Sequence, residues 1–380
     1  MNSKLSLFFV VFVCFLVAQS NSKQNIITVI ATTNVHGEID PCGWKKKPLG
    51  GLARKATILE QYNNEDNLYV VDAGNLFFSS ERLEPGIATE IALINAGIIL
   101  NSFNKMGCNA FSPGSKDFSA GKEFMLSSSK DASFPFVSCN IFDSSRNLLF
   151  EPYIMSEQNG IRVAFIGLTS IFESEGLIVE DPLASLNAVL DEVVAISDIR
   201  VLLFSSNDMD MKQLEEADLE LTMIIRSRNK QRSSDGGSGI PTYTLGDKGK
   251  LLYKFDLEVN SSSLNFVDIA WCNRSIEDSN NRLDKMKKGN MLIDLEKEFN
   301  NNPSALNRVL LYKSRIEEAN QRLENAVNKI ILNKIELGRD VNGNVEILQI
   351  VDKGKLEIKK NTTPQFDVPH DHDGDGYPDH

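Results

Sequence analysis

Few residues in this sequence could do metal or acid–base chemistry, so they can be read one by one. Its 380 residues hold four histidines, His36 and then His370, His372 and His380 near the end. A hydrolytic centre built on divalent metals draws on several neutral imidazoles and carboxylates, the ligands such ions prefer. Only His36 stands in the body of the chain, in the run Ile26-Ile27-Thr28-Val29-Ile30-Ala31-Thr32-Thr33-Asn34-Val35-His36-Gly37. Leu68-Tyr69-Val70-Val71-Asp72-Ala73-Gly74-Asn75 repeats its grammar, and residues 107–118 repeat it more loosely. In each, a short apolar stretch stops in small and polar residues, as a buried strand does where it enters a loop. Functional groups in α/β sheets gather beyond the carboxyl ends of strands, so these loops are expected to converge on one site.

A second concentration of chemistry lies in the tail, which reads Asp371-His372-Asp373-Gly374-Asp375-Gly376-Tyr377-Pro378-Asp379. Alternating carboxylates with glycine at the turn suit a hard cation that takes oxygen ligands. Asp371, Asp373, Asp375 and Asp379 are therefore the expected calcium ligands. The chain ends before the bidentate Glu of an EF-hand, and the loop resembles those of secreted calcium-binding repeats such as thrombospondin type 3. The alternative is an acidic extension that holds no ion.

The elements that must position these loops follow from periodicity. Residues 50–62 predict a helix with Leu52, Ala56 and Leu59 on one face. Residues 84–106 predict another, carrying Ile91, Ile94, Ile98 and Leu100 toward the core. Strands are expected at 134–140, 162–169, 199–205 and 218–225, and helices at 181–195 and around 211–216. Residues 241–257 read as two paired strands joined by a turn at Gly246–Gly249. From 279 the spacing turns helical through Leu283, Met286, Leu292, Leu295 and Phe299. After the turn at 300–304, a second amphipathic helix is expected through Leu306, Val309, Leu310, Ile316, Leu323, Val327 and Ile330, closing a helical hairpin. A last helix is expected at 345–358, with Gly354 counting against it. Strand–helix alternation followed by paired strands predicts an α/β fold, a two-sheet sandwich flanked by helices.

Over residues 25–256 the chain resembles the amino-terminal domain of the 5'-nucleotidase branch of the calcineurin-like metallophosphoesterases. Those enzymes carry T-N-D-x-H-G, D-A-G-D, G-N-H-D-F, L-S-H and G-H-x-H loops that hold two divalent metals. Position by position, Asn34 stands for the first Asp ligand while His36 matches, and Asn75 stands for the Asp that bridges both metals. Ser115 and Lys116 replace the Asn ligand and the catalytic His, with Asp117 kept. Ser206 replaces the His of L-S-H, and Arg226 and Arg228 replace both His of G-H-x-H. An arginine cannot shed its proton to become a ligand, and like charges about 4 Å apart repel by ~4 kcal/mol at a surface-type dielectric. No dinuclear metal centre is expected. The resemblance implies a metallophosphoesterase-like sandwich in a catalytically degenerate protein, a pseudoenzyme that binds an anionic small molecule or a protein partner. Lys116, Arg226 and Arg228 are the candidate anion site; the alternative is that they pair with Asp72 and Asp117 and only fill the hole. Two other readings are a weak or altered metal-dependent phosphohydrolase using His36, Asp72 and Asp117, and a calcium-binding surface structural protein.

Composition bounds the partners and the compartment. A net charge of −12 excludes a nucleic-acid surface, which needs excess Lys and Arg. Lys4, the apolar residues 7–18 and Ala18-Gln19-Ser20 form a secretory signal pattern, so a secreted, periplasmic or cell-surface location is expected, with no transmembrane span once the signal is cleaved. Export would leave Cys42, Cys108, Cys139 and Cys272 in an oxidising space, with three pairings open to them. The expected organisation is a signal at 1–22, the phosphoesterase-like domain at 23–275, a helical extension at 276–360 and the acidic tail at 361–380. The lysines at 45–47 are expected in a solvated loop or as an anion-attracting rim.

Overall fold

A computed structural model describes residues 25–43, 47–63, 67–261 and 266–362. The signal pattern, Lys45, Lys46 and the calcium-type loop lie outside the described residues. The first half runs β1 (Ile26–Thr32), α1 (Leu52–Glu60), β2 (Leu68–Asp72), α2 (Ile87–Met106), β3 (Ala110–Phe111), α3 (Lys122–Asp131), β4 (Ile141–Asp143), β5 (Tyr153–Gln158) and β6 (Ile161–Thr169). It continues with β7 (Leu177–Val179), α4 (Pro182–Ile196), β8 (Ile199–Ser205), α5 (Asp208–Glu216), β9 (Met223–Ser227), β10 (Thr242–Thr244) and β11 (Leu251–Glu258). The chain then forms β12 (Phe266–Asp268), α6 (Ile269–Met286), α7 (Leu295–Glu298), α8 (Pro303–Glu324), β13 (Asn328–Glu336) and α9 (Val345–Thr362).

These strands make the expected two-sheet sandwich. One sheet has the order β12-β13-β11-β1-β2-β3 and the other β10-β9-β8-β6-β5. Period-2 alternation decides which side chains meet between them. From β1, Ile27, Val29 and Ala31 face Val163, Phe165, Val201 and Leu203 of the second sheet in one buried cluster. Ile30 points the other way, into a layer with Ile58 and Leu59 of α1. Helices α1, α2 and α9 cover the first sheet with a second apolar layer, and α4 and α5 cover the other sheet. Asp181 caps α4 by accepting from the Ala184 N–H, with Pro182 at the first helical position, where its missing donor costs nothing.

Five expectations are corrected. Residues 134–140 form isolated bridges, Phe111 with Phe136 and Val137 with Glu151, rather than a strand, since Pro135 breaks the donor ladder. The strand expected at 218–225 begins only at Met223. Leu219 and Leu221 precede it in tight turns and pack against the α4–α5 layer. Residues 241–257 hold two strands that do not pair with each other. β10 lies parallel to β9, whereas β11 pairs antiparallel with β1 in the opposite sheet, so the Gly246–Gly249 segment crosses between sheets. The second amphipathic helix stops at Glu324, and residues around Ile330 form β13, which pairs along its length with β11. Ile330 and Leu332 alternate into the inter-sheet core, a period-2 pattern masked by the preceding helical spacing. The 276–360 segment is therefore a helical hairpin, a strand of the main sheet and most of helix α9. Finally, Cys42, Cys108, Cys139 and Cys272 are free thiols. Burial pushes Cys108 and Cys139 up to about 12, which keeps them unreactive.

The last helix forms in spite of Gly354. A β-carbon there would come within 2.2 Å of Ile98 Cδ1, so glycine is what lets α9 lie against α2. The ~1 kcal/mol propensity cost of a helical glycine is offset by that apolar contact.

One buried polar chain crosses the α1–sheet interface. Lys55 Nζ donates to Thr32 Oγ1 at 2.9 Å, and Thr32 Oγ1 donates to Asp72 Oδ2 at 2.6 Å. The Lys55 ammonium also lies 3.8 Å from the centre of the Phe103 ring. Burial pushes Asp72 up to about 7 and Lys55 down to about 8. Removing one partner leaves the other charge buried and uncompensated, so Lys55→Met is expected to cost about 3 kcal/mol at pH 8. With the carboxyl raised, folded protein keeps a proton on Asp72 that the unfolded chain has released. The deficit is therefore expected to shrink as pH falls from 8 through 7 to about 5.5. Urea denaturation at the two pH values measures this; a loss independent of pH would contradict it.

Candidate functional site

The strands of each sheet that carry the motif loops run parallel, β1 with β2 and β3, and β8 with β9, so their carboxyl-end loops emerge together. Backbone bonds tie the loops of the first sheet: Asn34 N–H donates to Gly74 O and His36 N–H to Asn75 O, both at 2.9 Å. Ser112 N–H donates to Asp72 O at 3.0 Å. Gly74, at φ 103°, passes so close to the next loop that a β-carbon would meet Ser112 O at 2.6 Å. Four of the motif residues hold left-handed backbone: Asn34 at φ 52°, His36 at 58°, Asn75 at 56° and Arg228 at 67°. Strained backbone of this kind persists only where the surroundings over-determine it.

Asn34 is the hub. Its side chain is fully buried. Its Nδ2 donates to Gly246 O at 2.9 Å and to Asn229 O at 3.0 Å. Its Oδ1 accepts from the Arg228 N–H at 2.9 Å and from Asn75 Nδ2 at 3.2 Å. Two carbonyls on one side and a backbone N–H on the other fix which end of the amide is oxygen. Asn75, also fully buried, accepts on Oδ1 from the Lys116 N–H at 3.3 Å. The two carboxamides thus join loops from both sheets.

The retained Asp117 works the same way. It is buried and accepts four backbone N–H groups: Gly114 and Asn75 on Oδ2 at 2.8 Å, and Leu76 at 2.7 Å and Phe77 at 2.8 Å on Oδ1. Burial raises its carboxyl, and those four donors pull it back. Asp72 accepts the Gly74 N–H at 2.8 Å besides the Thr32 hydroxyl. Neither carboxylate pairs with the cations expected to fill the hole, which is a correction: both hold backbone instead.

Each cation has its own partner. Arg226, 8% exposed, donates through Nε to Ser206 Oγ at 2.8 Å and through Nη2 to Asp208 Oδ1 at 2.5 Å. Arg228 Nη2 lies 3.7 Å from Glu81 Oε1, which also accepts from Ser115 Oγ at 2.9 Å. Lys116 Nζ donates to Ser79 O at 2.6 Å. Burial lowers the Lys116 ammonium below its ordinary value, and Lys230 nearby adds to the effect. His36 Nδ1 lies 3.3 Å from Phe78 O, and its Nε2 lies 3.2 Å from Asp247 Oδ1, at ion-pair distance but misaligned for a hydrogen bond. The His36 contact is the main cause holding the Asp247 carboxyl below its usual range. Lys47, on the outer rim, pairs with Glu336 at 2.9 Å.

The loops therefore bring Asn34, Asn75, Ser115, Lys116 and Arg228 together, while Arg226 and Ser206 form a pair with Asp208. Sequence reading missed Glu81, Asp208 and Asp247, the carboxylates that answer the site's basic groups. Asp208 stands two residues beyond Ser206, and Asp247 lies in the Gly246–Gly249 segment, so charge balance around the substituted positions was the available signal. Among the described residues, no three His, Cys, Asp or Glu side chains gather as a metal-ligand set.

No family model matches the chain. It is 28% identical over 146 residues to a 5'-nucleotidase of Vibrio parahaemolyticus, covering 38% of this chain and 25% of that protein. It is 26% identical over 166 residues to the trifunctional nucleotide phosphoesterase protein YfkN of Bacillus subtilis, covering 39% of this chain and 11% of that one. The matched region thus spans about a quarter or less of the length of these relatives. Among solved structures, a 5'-nucleotidase precursor from Thermus thermophilus superposes with a TM-score of 0.61 at 14% identity, covering 88% of this chain and 59% of that one. Calcineurin-like phosphoesterase YfkN from Bacillus subtilis gives 0.58 at 16% identity, covering 88% and 98%. The parallel order of the strands, the five loops at their carboxyl ends and these likenesses agree: the chain has the fold of the calcineurin-like phosphoesterases, in its 5'-nucleotidase form.

Proposed function

We propose that this chain is an exported protein of phosphoesterase fold that does not catalyse and acts by binding an anionic ligand or partner at the substituted loops. The observation that carries this reading is the Asn34 carboxamide. Its oxygen already accepts two N–H donors and its nitrogen serves two carbonyls, so it offers nothing to a cation. At a second substituted position Arg226 brings fixed positive charge, paired with Ser206 and Asp208, and its guanidinium has no lone pair to donate. This donor set does not fit two divalent ions, and no hydrolytic step is assigned to it. What it presents instead is Lys116, held by the Ser79 carbonyl, and Arg228, whose carboxylate partner Glu81 is solvent-facing and 3.7 Å away; both cations are part-exposed. A phosphate, sulfate or carboxylate group could displace such a partner, with guanidinium and ammonium donors taking its oxygens. The apolar signal pattern at the amino terminus supports export.

Turnover of AMP and of a bis-aryl phosphate is expected to be no greater for the chain than for its His36→Ala variant, with added manganese or with chelator. Chelator-sensitive turnover that disappears in His36→Ala would instead make the protein a hydrolase. In parallel, calorimetry with chelator present is expected to show phosphate or sulfate binding that weakens as salt is raised. Arg228→Ala should weaken it about tenfold, the loss of one charge-assisted contact, while Lys47→Ala should leave it within about twofold. Binding indifferent to Arg228 would remove the loops as the anion site.

A further inference from the structure

We infer that the groove between α6 and α8 is a second binding site, built for a compact polyanion carrying two or more phosphoryl or carboxylate groups. The groove encloses about 740 Å³ and is closed on one side by the loop at Asp235–Gly239. It shares no residue with the motif loops, and its reading does not depend on theirs. Trp271, Ser275, Asp278 and Arg282 recur along α6 at spacings of four, three and four, so they lie on one face. Arg315, Glu318 and Arg322 form the matching face of α8. Four arginines thus line one groove of a chain whose net charge is −12.

Two of the four are structural. Arg274 Nη1 lies 3.0 Å from Asp235 Oδ2 and its Nε 3.5 Å from Asp278. Arg322 reaches Glu318 at 2.7 Å, donates to Ser238 O at 3.2 Å and sits 4.6 Å from the Trp271 ring centre. Asp268 ties this wall down, accepting from the Gly236 and Trp271 N–H groups and from the Tyr243 hydroxyl. The other two are not used in this way. Among the described residues, neither Arg282 nor Arg315 has a carboxylate at ion-pair distance; Arg282 only rests 5.7 Å from the Tyr312 ring centre. Two exposed guanidinium forks held on facing helices, beside two that are already fixed, suit oxyanion groups spaced a few bonds apart.

The test is calorimetry at low salt with chelator, titrating pyrophosphate and, separately, citrate into the full chain and its variants. Arg282→Gln and Arg315→Gln each remove one exposed fork without breaking an ion pair, and thermal melts confirm that both fold. At least one probe is expected to bind saturably, and each Gln variant to weaken it about tenfold. Arg228→Ala should leave this event unchanged, even if phosphate binding at the motif loops fails. Pyrophosphate binding alone would assign a phosphoryl ligand, and citrate binding alone a polycarboxylate. No saturable binding of either, binding untouched by both Gln variants, or binding lost only in Arg228→Ala would overturn the proposal.

Discussion

A buried carboxamide must satisfy two N–H donors and an acceptor oxygen, and Asn34 does so with groups drawn from loops of both sheets. That requirement governs the architecture at the carboxyl ends of the strands. Desolvated polar groups left unpaired cost roughly 1–3 kcal/mol each, so loops that meet here need something polar and well placed between them. In enzymes that the motifs resemble, divalent ions supply it. Here the amides of Asn34 and Asn75, the carboxylate of Asp117 and the Arg226–Ser206–Asp208 group place hydrogen bonds between the loops. The left-handed backbone at Asn34, His36 and Asn75 lies within this network of neighbours.

The buried acidic residues also serve to hold the loops. Asp117 and Asp72 look like catalytic carboxylates in the sequence, yet both are fully buried and accept backbone or hydroxyl donors. A carboxylate that receives four N–H groups is an organiser of loop geometry. The charged groups that solvent can reach in part are Lys116, Arg228, Glu81 and Asp247.

Much of the fold was legible because its cues are local. β1, β2, β6 and β8 are short apolar runs ending in polar loops, and α4 begins with the Asp181-Pro182 cap where spacing placed it. The misread elements depend on partners distant in sequence. β13 needs β11, 73 residues earlier by the pairing of Ile330 with Leu257, and the helical spacing that precedes it masks its alternation. β10 and β11 look like a hairpin because a glycine-rich turn joins two alternating strands, but each finds a better neighbour in a different sheet. The site was legible to the level of which loops meet. Which cation takes which carboxylate was not, because Glu81, Asp208 and Asp247 belong to no motif and are chosen by three-dimensional proximity.

On the function proposed above, hydrogen bonds between side chains and backbone hold the motif loops without metal ions. Elemental analysis of the purified chain, expressed with zinc, manganese and iron supplied and then exchanged into metal-free buffer, tests it most directly. Well under one-tenth of an equivalent of these metals per chain is expected. One or two equivalents retained by the wild type and lost in His36→Ala or Asn75→Ala would contradict it.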